Sequence, residues 1–296
     1  MANISLTNQI SAQLDQARVR EGGMNHAPSG MHFLRHSTVT LQDSTIYLPL
    51  LCLVLQGAKE VGTSIKTLTV SNGESLLVSH TLPVTSRITV ATLDRPYIAL
   101  VFPLDLDVLR GLAADVPLKP GKSSHDPFSI SLCQTDPELE DALFRYLQQT
   151  KTDRTQRLLA RITHREIHAR LLLGLHGEQL QKLLWHETMA SRISQATRHI
   201  QSDLSKAIVI TELAQQAGMS NSAFFEHFKS VTGISPLQYQ KDLRLLRARD
   251  ALRISNDKIS EIAFSVGYDS PAQFSREYLR KFGAQPKQDR VLSLAG

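Results

Sequence analysis

Cysteine is almost missing from this chain: Cys52 and Cys133 are the only two in 296 residues. Two thiols build no disulfide framework and suit a reducing compartment. Glycine (15) and proline (12) are too few for a fibrous or low-complexity protein. Long apolar runs are also lacking. The stretch Leu48–Leu55 is uncharged but covers less than half a bilayer, so no transmembrane helix is expected. The start, MANISLTNQISAQLDQ, has no basic lead and no apolar stretch, so no secretory signal is expected. G-x-S-x-G, Walker and dinucleotide motifs do not occur, nor does an H-x-H pair. The expectation is a soluble, cytoplasmic protein with no membrane association, no metal and no cofactor.

What is present is ordinary globular material. Hydrophobic residues make up 42% and charged residues 21%, which excludes wholesale disorder. The length allows two domains. The net charge is +5. Residues 1–185 hold 18 basic and 17 acidic side chains, and residues 186–296 hold 15 and 11, so the excess lies in the last third. A basic segment is compatible with nucleic acid but is more often solvated surface.

Residues 1–20 read as a short amphipathic helix, with Thr7 as a cap and Ile10, Leu14 and Ala17 on one face. From Phe33 to Phe102 the pattern becomes that of strands. YLPLLCLVLQG (Tyr47–Gly57) reads as a buried strand ending in a Gly turn. SIKTLTV (Ser64–Val70) is followed by Asn72-Gly73, the strongest short hairpin signal. SLLVSH, TSRITVATL and YIALVF follow at close spacing, as in a β-barrel or two-sheet sandwich. Asp105 and Asp107 read as surface turn residues.

Asp136-Pro137-Glu138 is a helix start: an Asp cap, Pro at the first position and an acid in the first turn. Leu139, Leu143, Tyr146 and Leu147 give that helix its apolar face. A second helix runs from about Thr155 through Ile162, Ile167 and Leu171. Gly174 and Gly177 loosen it, and a third carries Leu180, Leu183 and Leu184. These helices, about 136–187, read as a connector or a dimer seam.

The last 110 residues contain a repeat. ITELAQQAGM (Ile210–Met219) aligns with ISEIAFSVGY (Ile259–Tyr268) at an offset of 49. After the glycine the offset becomes 50, matching Ser220 with Ser270, Phe224 with Phe274, Phe228 with Tyr278, Gly233 with Gly283 and Pro236 with Pro286. Each copy reads as a helix opening at Thr211 or Ser260, with a small residue, Ala214 or Ala263, at a close crossing. Gly218 or Gly267 supplies the positive φ of a tight turn. A second helix follows, capped by Ser220 or Ser270 and anchored by an aromatic pair at i, i+4. That is a helix-turn-helix, present twice. Between the copies, PLQYQKDLRLLRARDALRI (Pro236–Ile254) is a long helix with Leu243, Leu246, Ala248 and Leu252 on an apolar stripe. Arg244, Arg247, Arg249 and Arg253 crowd its other faces. Two units on one rod can place two helices in successive major grooves.

Residues 188–290 resemble the DNA-binding domain of the AraC/XylS family of transcription regulators. The carrying residues are I-x-x-L-A-x-x-A-G-M-S…F-x-x-x-F-K (Ile210–Lys229), G-I-S-P-L-Q-Y (Gly233–Tyr239), L-R-x-x-x-A-R (Leu243–Arg249) and I-A-F-x-V-G-Y…S-x-x-Q-F-S-R-x-Y-x-x-x-F-G-x-x-P (Ile262–Pro286). L-C-L-V-L-Q-G-A-K (Leu51–Lys59), L-P-V (Leu82–Val84) and P-Y-I-A-L-x-x-x-L-D (Pro96–Asp105) resemble a regulatory domain recurrent in that family. The resemblance implies an α+β protein. Residues 1–185 would form a cupin-like β-barrel (about 30–105) with flanking helices. Residues 186–296 would form an all-α domain: one motif at 210–231, a linker helix at 236–254 and a second motif at 258–282.

The resemblance also implies DNA-binding positions: Ser220, Asn221, Ser222, Phe225, Glu226 and Lys229 in the first motif, and Ser270, Ala272, Gln273, Arg276 and Lys281 in the second. Gln273 suits adenine and Arg276 suits guanine; Arg276 could also serve a phosphate or a surface ion pair. Glu226 departs from the basic residue common there. It accepts from cytosine N4 or pairs with Lys229. Phe225 meets a thymine methyl or, by a slight preference, closes the core. Lys229 and Lys281 suit phosphates.

In the first half, Cys52, Ser79, His80 and Arg87 are the candidate polar contacts for a small effector inside the barrel. Cys52 reads first as a buried structural thiol. His32 and His36, four apart on a strand, span about 13 Å and read poorly as metal ligands. His164, His168 and His199 read as exposed helix positions. The function expected is an effector-controlled regulator, more often an activator than a repressor, that binds double-stranded DNA, with RNA polymerase and a second copy of the chain as possible partners. The alternative is a bifunctional enzyme and sensor carrying this DNA-binding module. Such a protein would rely on a reactive cysteine and a metal cluster, and two unrelated cysteines argue against it.

Overall fold

A computed structural model of the chain describes residues 2–116, 129–150, 154–184 and 188–294. It divides into two compact units, Met1–Asp43 with Tyr47–Ser191, and Ser44–Ile46 with Arg192–Gly296. The boundary drawn from sequence, between residues 185 and 186, lies outside the described residues.

The first unit opens with α1 (Ala2–Gln16), which buries Leu6, Ile10 and Leu14. Thr7 sits inside this helix rather than capping it, and Ala17 falls beyond its end and is exposed. Ten strands follow among the described residues: β1 (Gly22–His26), β2 (Met31–His36), β3 (Asp43–Tyr47), β4 (Leu50–Gln56), β5 (Ala58–Gly62), β6 (Thr67–Ser71), β7 (Glu74–Val78), β8 (Leu82–Val90), β9 (Tyr97–Pro103) and β10 (Ile130–Gln134). They form two sheets, ordered β1-β2-β9-β4-β7-β10 and β3-β8-β5-β6, with antiparallel neighbours. The sheet region is thus wider than residues 30–105: β1 precedes it and β10 lies beyond it.

Asn72-Gly73 does not close a hairpin. The loop is as short as a hairpin turn and Gly73 takes φ +81°, yet β6 pairs with β5 and β7 with β4 and β10. Gly73 N–H donates to Val54 O, and Gly73 O accepts from Thr135 N–H. Those outside bonds turn the pair into a corner that carries the chain from one sheet to the other.

Strand parity separates two cores. Successive residues of a strand face opposite sides. Leu51, Leu53 and Leu55 of β4 join the core under the helices, whereas Cys52 and Val54 join the core between the sheets. Ile98 and Leu100 against Tyr97 and Ala99 repeat the division on β9. Both faces of these central strands are covered, so LCLVL reads as a continuous apolar run.

The helices of the unit are α2 (Leu106–Ala113), α3 (Pro137–Gln149), α4 (Arg154–Leu173) and α5 (Gly177–Leu184). Asp105 is no mere turn residue. It caps α2, its carboxylate accepting from Asp107 and Val108 N–H at 3.0 Å. Asp136 caps α3 as its sequence suggests, accepting from Glu138 N–H at 3.0 Å. Leu139, Leu143 and Leu147 are buried below it. On α4, Ile167 and Leu171 are buried but Ile162 is 60% exposed, because it lies on the opposite side of the helix. His168 is fully buried rather than exposed: its Nε2 accepts from Asp105 N–H at 2.9 Å. Burial pulls its pKa to about 4.

Apart from Ser44–Ile46 of β3 the second unit is helical: α6 (Met189–Ser202), whose first three residues fall in the first unit, α7 (Ile210–Gln216), α8 (Asn221–Thr232), α9 (Pro236–Ile254), α10 (Ile259–Ser265), α11 (Pro271–Phe282) and α12 (Pro286–Leu294). Its repeat is larger than the two-helix motif. Ile193, Ala196 and Ile200 of α6 pack on the first motif, and Leu245, Ala248 and Leu252 of α9, identically spaced, pack on the second. The repeating body is therefore three helices, α6–α7–α8 and α9–α10–α11.

Candidate nucleic-acid interface and effector site

Each motif is fixed from the turn outward. The first helices, α7 and α10, begin one residue earlier than their Thr and Ser suggest, capped at Val209 and Lys258. In α10, Glu261 accepts from Lys258 N–H at 3.1 Å. Gly218 takes φ +64° and Gly267 φ +88°, a left-handed conformation that side-chain-bearing residues adopt at a cost. Next to each glycine lies an equivalent arginine. Arg192 donates to Ala217 O at 3.2 Å, and Arg244 donates to Leu204 O at 2.7 Å and to the Ser205 and Lys206 carbonyls.

The second helices start at serine caps. Ser220 Oγ accepts from Ala223 N–H and Ser270 Oγ from Gln273 N–H, each at 3.3 Å. Phe224 and Phe228 anchor α8, and Phe274 and Tyr278 anchor α11, all fully buried. That leaves one face of each helix outward. Ser220, Asn221, Ser222, Glu226 and Lys229 are exposed on the first; Ala272, Gln273 and Arg276 are exposed on the second.

Phe225 lies on the outer face at 37% exposure, not in the core. Phe224 already fills the inward position, and the next residue on a helix points about 100° away. Phe264 is 53% exposed for the same reason beside buried Ala263. Glu226 and Lys229 form no ion pair with each other. Gln273 Nε2 reaches Glu277 Oε1 at 3.4 Å.

Lys281 departs from its expected setting. It is half-buried and pairs with Asp242 on α9 at 2.9 Å. Two more ion pairs run from α9: Lys241 to Glu277 at 2.7 Å, and Arg249 to Asp289 of α12 at 2.7 Å. Tyr278 donates to Asp289 Oδ2 at 2.6 Å. The Asp289 carboxyl is held below its ordinary range: burial opposes this, and bonds from Arg249 and Tyr278 outweigh it. Arg244 and Arg249, read from sequence as crowding the outer faces, are thus structural.

In the first unit, the space between the sheets is apolar, lined by Val54, Val61, Ile88 and Ala99 among others. Of the four expected effector contacts only Cys52 faces it. Arg87 is exposed on the outside, paired with Glu60 at 2.7 Å. It stands one residue from Ile88, which takes the inner face. Ser79 and His80 are buried but tie the strands to the helices. Gln179 Nε2 donates to Ser79 Oγ at 3.1 Å, and His80 Nε2 donates to Ala190 O at 2.9 Å.

What sequence reading missed is Lys59. It is 4% exposed, points between the sheets beside Val61, and donates to Cys52 Sγ at 3.1 Å and Tyr47 Oη at 3.2 Å. Burial disfavours its charge, but Cys52, Tyr47 and Tyr97 outweigh that and raise its pKa. The Tyr97 hydroxyl, in the same core, is buried without a hydrogen-bond partner. The sequence signal was parity: Lys59 and Val61 share a face. Nothing in AKEVG told which face is inner.

Elsewhere in the unit, His176 Nδ1 lies 2.7 Å from Ser131 Oγ and Nε2 lies 2.9 Å from Ser75 Oγ; burial lowers its pKa to about 4. His32 pairs with Asn25 and His36 with Glu21. Among the described residues no three His, Cys, Asp or Glu gather to hold a metal, and no helix is long and apolar enough to cross a membrane.

Comparison with known proteins places these units. A family model described as the AraC-type transcriptional regulator N-terminus matches residues 27–179, and a helix-turn-helix domain model matches 213–291. The HTH-type transcriptional activator RhaS of Escherichia fergusonii is 30% identical over 133 residues, 45% of this chain and 47% of that protein. The virulence regulon transcriptional activator VirF of Yersinia enterocolitica is 28% identical over 149 residues, 46% of this chain and 55% of that one. The chain spans about half the length of these curated relatives. A structure of unsaturated fatty acid bound wild-type ToxT from Vibrio cholerae shares the fold at TM-score 0.56 and 10% identity, covering 87% of this chain and 94% of that one.

Proposed function

This chain belongs to the family of AraC-type transcriptional regulators, and from that premise we propose that it is a sequence-specific transcription activator controlled by a small molecule. The observation that carries the reading is the repeated body of the second unit. Two Ser-capped helices on buried aromatic anchors each leave a polar face outward. Helices of that kind fit major grooves. Arg276 and Gln273 read bases, Lys229 serves a phosphate, and Phe225, now outward, meets a thymine methyl. Lys281 and Ser270 act by holding α11. RhaS and VirF are transcriptional activators, which supports activation through RNA polymerase here.

The effector site in this reading is the inter-sheet core of the first unit, taking a small apolar or weakly polar molecule. The solved ToxT with a bound unsaturated fatty acid supports a ligand-binding role for this fold. The chain works as a homodimer through α4, where Leu158, Ile162 and Leu173 are 60–66% exposed. The cytoplasm is its place of action.

The test is direct. The full chain should retard a labelled fragment of its own upstream DNA against excess competitor, and a metabolite extract should shift the midpoint. Binding that is equally strong on unrelated DNA would refute sequence-specific regulation.

A further inference from the structure

Packing alone does not explain Lys59 in the inter-sheet core. A buried ammonium is normally met by a carboxylate. Here its partners are a thiol and a phenol, Cys52 and Tyr47, with the Tyr47 ring centroid 5.3 Å away. Glu60, the adjacent acid, is outward on Arg87. The Tyr97 hydroxyl, 1% exposed, has no partner. A cation that meets no carboxylate and an unused O–H donor therefore share one apolar core.

We propose that Lys59 and Tyr97 form the anion subsite of the effector pocket and that the effector is a small apolar monocarboxylic acid. This rests on the reading that the inter-sheet core receives the effector. The chemistry selects the class. A carboxylate only accepts hydrogen bonds, and the subsite only lacks acceptors. One negative charge matches one ammonium, whereas a phosphate ester brings nearly two. The remaining wall, Val54, Val61, Ile88 and Ala99, is apolar and offers a sugar nothing to bond. A cavity of about 340 Å³ lies at the edge strands β6 and β10, lined in part by Leu68, Ile130 and Leu132, which pack on the same core. Leu132 stands opposite Leu76, and Leu76 opposite Cys52. The cross-strand row from that cavity to the thiol touching Lys59 thus spans about 10 Å.

The test uses the full chain, with octanoate and uncharged octanamide as probes in calorimetric titration and thermal unfolding. Octanoate should bind and raise the first unit's unfolding temperature, and octanamide should not. Lys59→Met should weaken octanoate about 10- to 100-fold, the loss expected for a charged hydrogen bond. Without ligand this variant should unfold no earlier than wild type, since replacing a buried ion by an apolar residue is often neutral or stabilising. Tyr97→Phe, which removes one oxygen from the same ring, should weaken octanoate several-fold and keep the fold. Octanoate affinity unchanged from wild type in both Lys59→Met and Tyr97→Phe, or octanamide binding as tightly as octanoate, would overturn the subsite while leaving an apolar effector in place. Neither probe binding to wild type would overturn the monocarboxylate assignment; whether any effector exists is then read from the metabolite extract on DNA.

Discussion

Gly218 and Gly267 hold matching turns but should not tolerate the same substitution. Alanine at either position enters the left-handed region, at about 1–2 kcal/mol. At Gly218 a Cβ would meet Arg192 Nη1 at 3.3 Å, the end of a flexible side chain. At Gly267 it would run into Ser205 O, with Ser205 Cα at 2.8 Å and Arg244 Nη2 at 2.7 Å. The guanidinium is the end of a flexible side chain and can swing aside, but the Ser205 O and Cα are backbone atoms and cannot give way without moving the chain around them. Overpacking against a fixed group adds about 1–3 kcal/mol. Gly218→Ala should therefore cost about 1–2 kcal/mol and Gly267→Ala about 2–5 kcal/mol. Hydrogen exchange read by mass spectrometry on peptides from α7–α8 and from α10–α11 measures each loss locally. Arg244→Ala in the Gly267→Ala background should recover little, because the backbone clash remains. Equal losses at the two glycines, or full recovery in the double variant, would refute the reasoning.

Three further outcomes are expected. Arg276→Ala should weaken specific DNA binding by about 1–3 kcal/mol and relax preference at one base pair, whereas Lys229→Ala should weaken all sequences and reduce the salt slope by about 1, both read by titration across salt. A fragment from Met189 to Gly296 should melt cooperatively and bind DNA, since both three-helix cores lie within it; a non-cooperative melt would refute its autonomy. His168 and His176, each with a pKa pulled from 6.5 to about 4 by burial, bind fewer protons folded than unfolded. Their contribution is full above pH 6.5 and is lost as pH falls towards 4, by about 3 kcal/mol each at most. His176→Gln should flatten that acid limb in urea melts at stepped pH, and an unchanged limb would remove His176 from the account.

The helical unit was largely legible because its signals are local. A Ser cap, a turn glycine and an aromatic pair at i, i+4 are each settled within one turn of chain, and Ser220, Gly218 and Phe224 lie as their types require. Membership of α6 in the repeat was not legible, since Ile193, Ala196 and Ile200 gain meaning only beside their counterparts on α9. The sheet unit was less legible for the same reason. Asn72-Gly73 specifies a turn but not which strands pair, and that is decided by the partners of β6 and β7. Lys59 was missed and Arg87 was placed inside because parity gives alternation, not the sign of the face. Phe225 and Lys281 needed their neighbours: Phe224 takes the inward position, and Asp242 draws the lysine off the outer face.

Helix α9 is a ruler shared by two bodies. Tyr239 and Leu243 belong to the core of the first, and Leu245, Ala248 and Leu252 to that of the second, with the change of ownership falling at Arg244. The angular phase between the two projecting faces is therefore written in the residue count of a continuous helix. One residue inserted at that junction would rotate everything after it by about 100° and advance it about 1.5 Å; seven would bring the faces back almost into phase, about 10 Å further apart. A chain built this way cannot adapt to a new distance between two recognition sequences by small steps, and its lineage is bound to changes that come in whole turns.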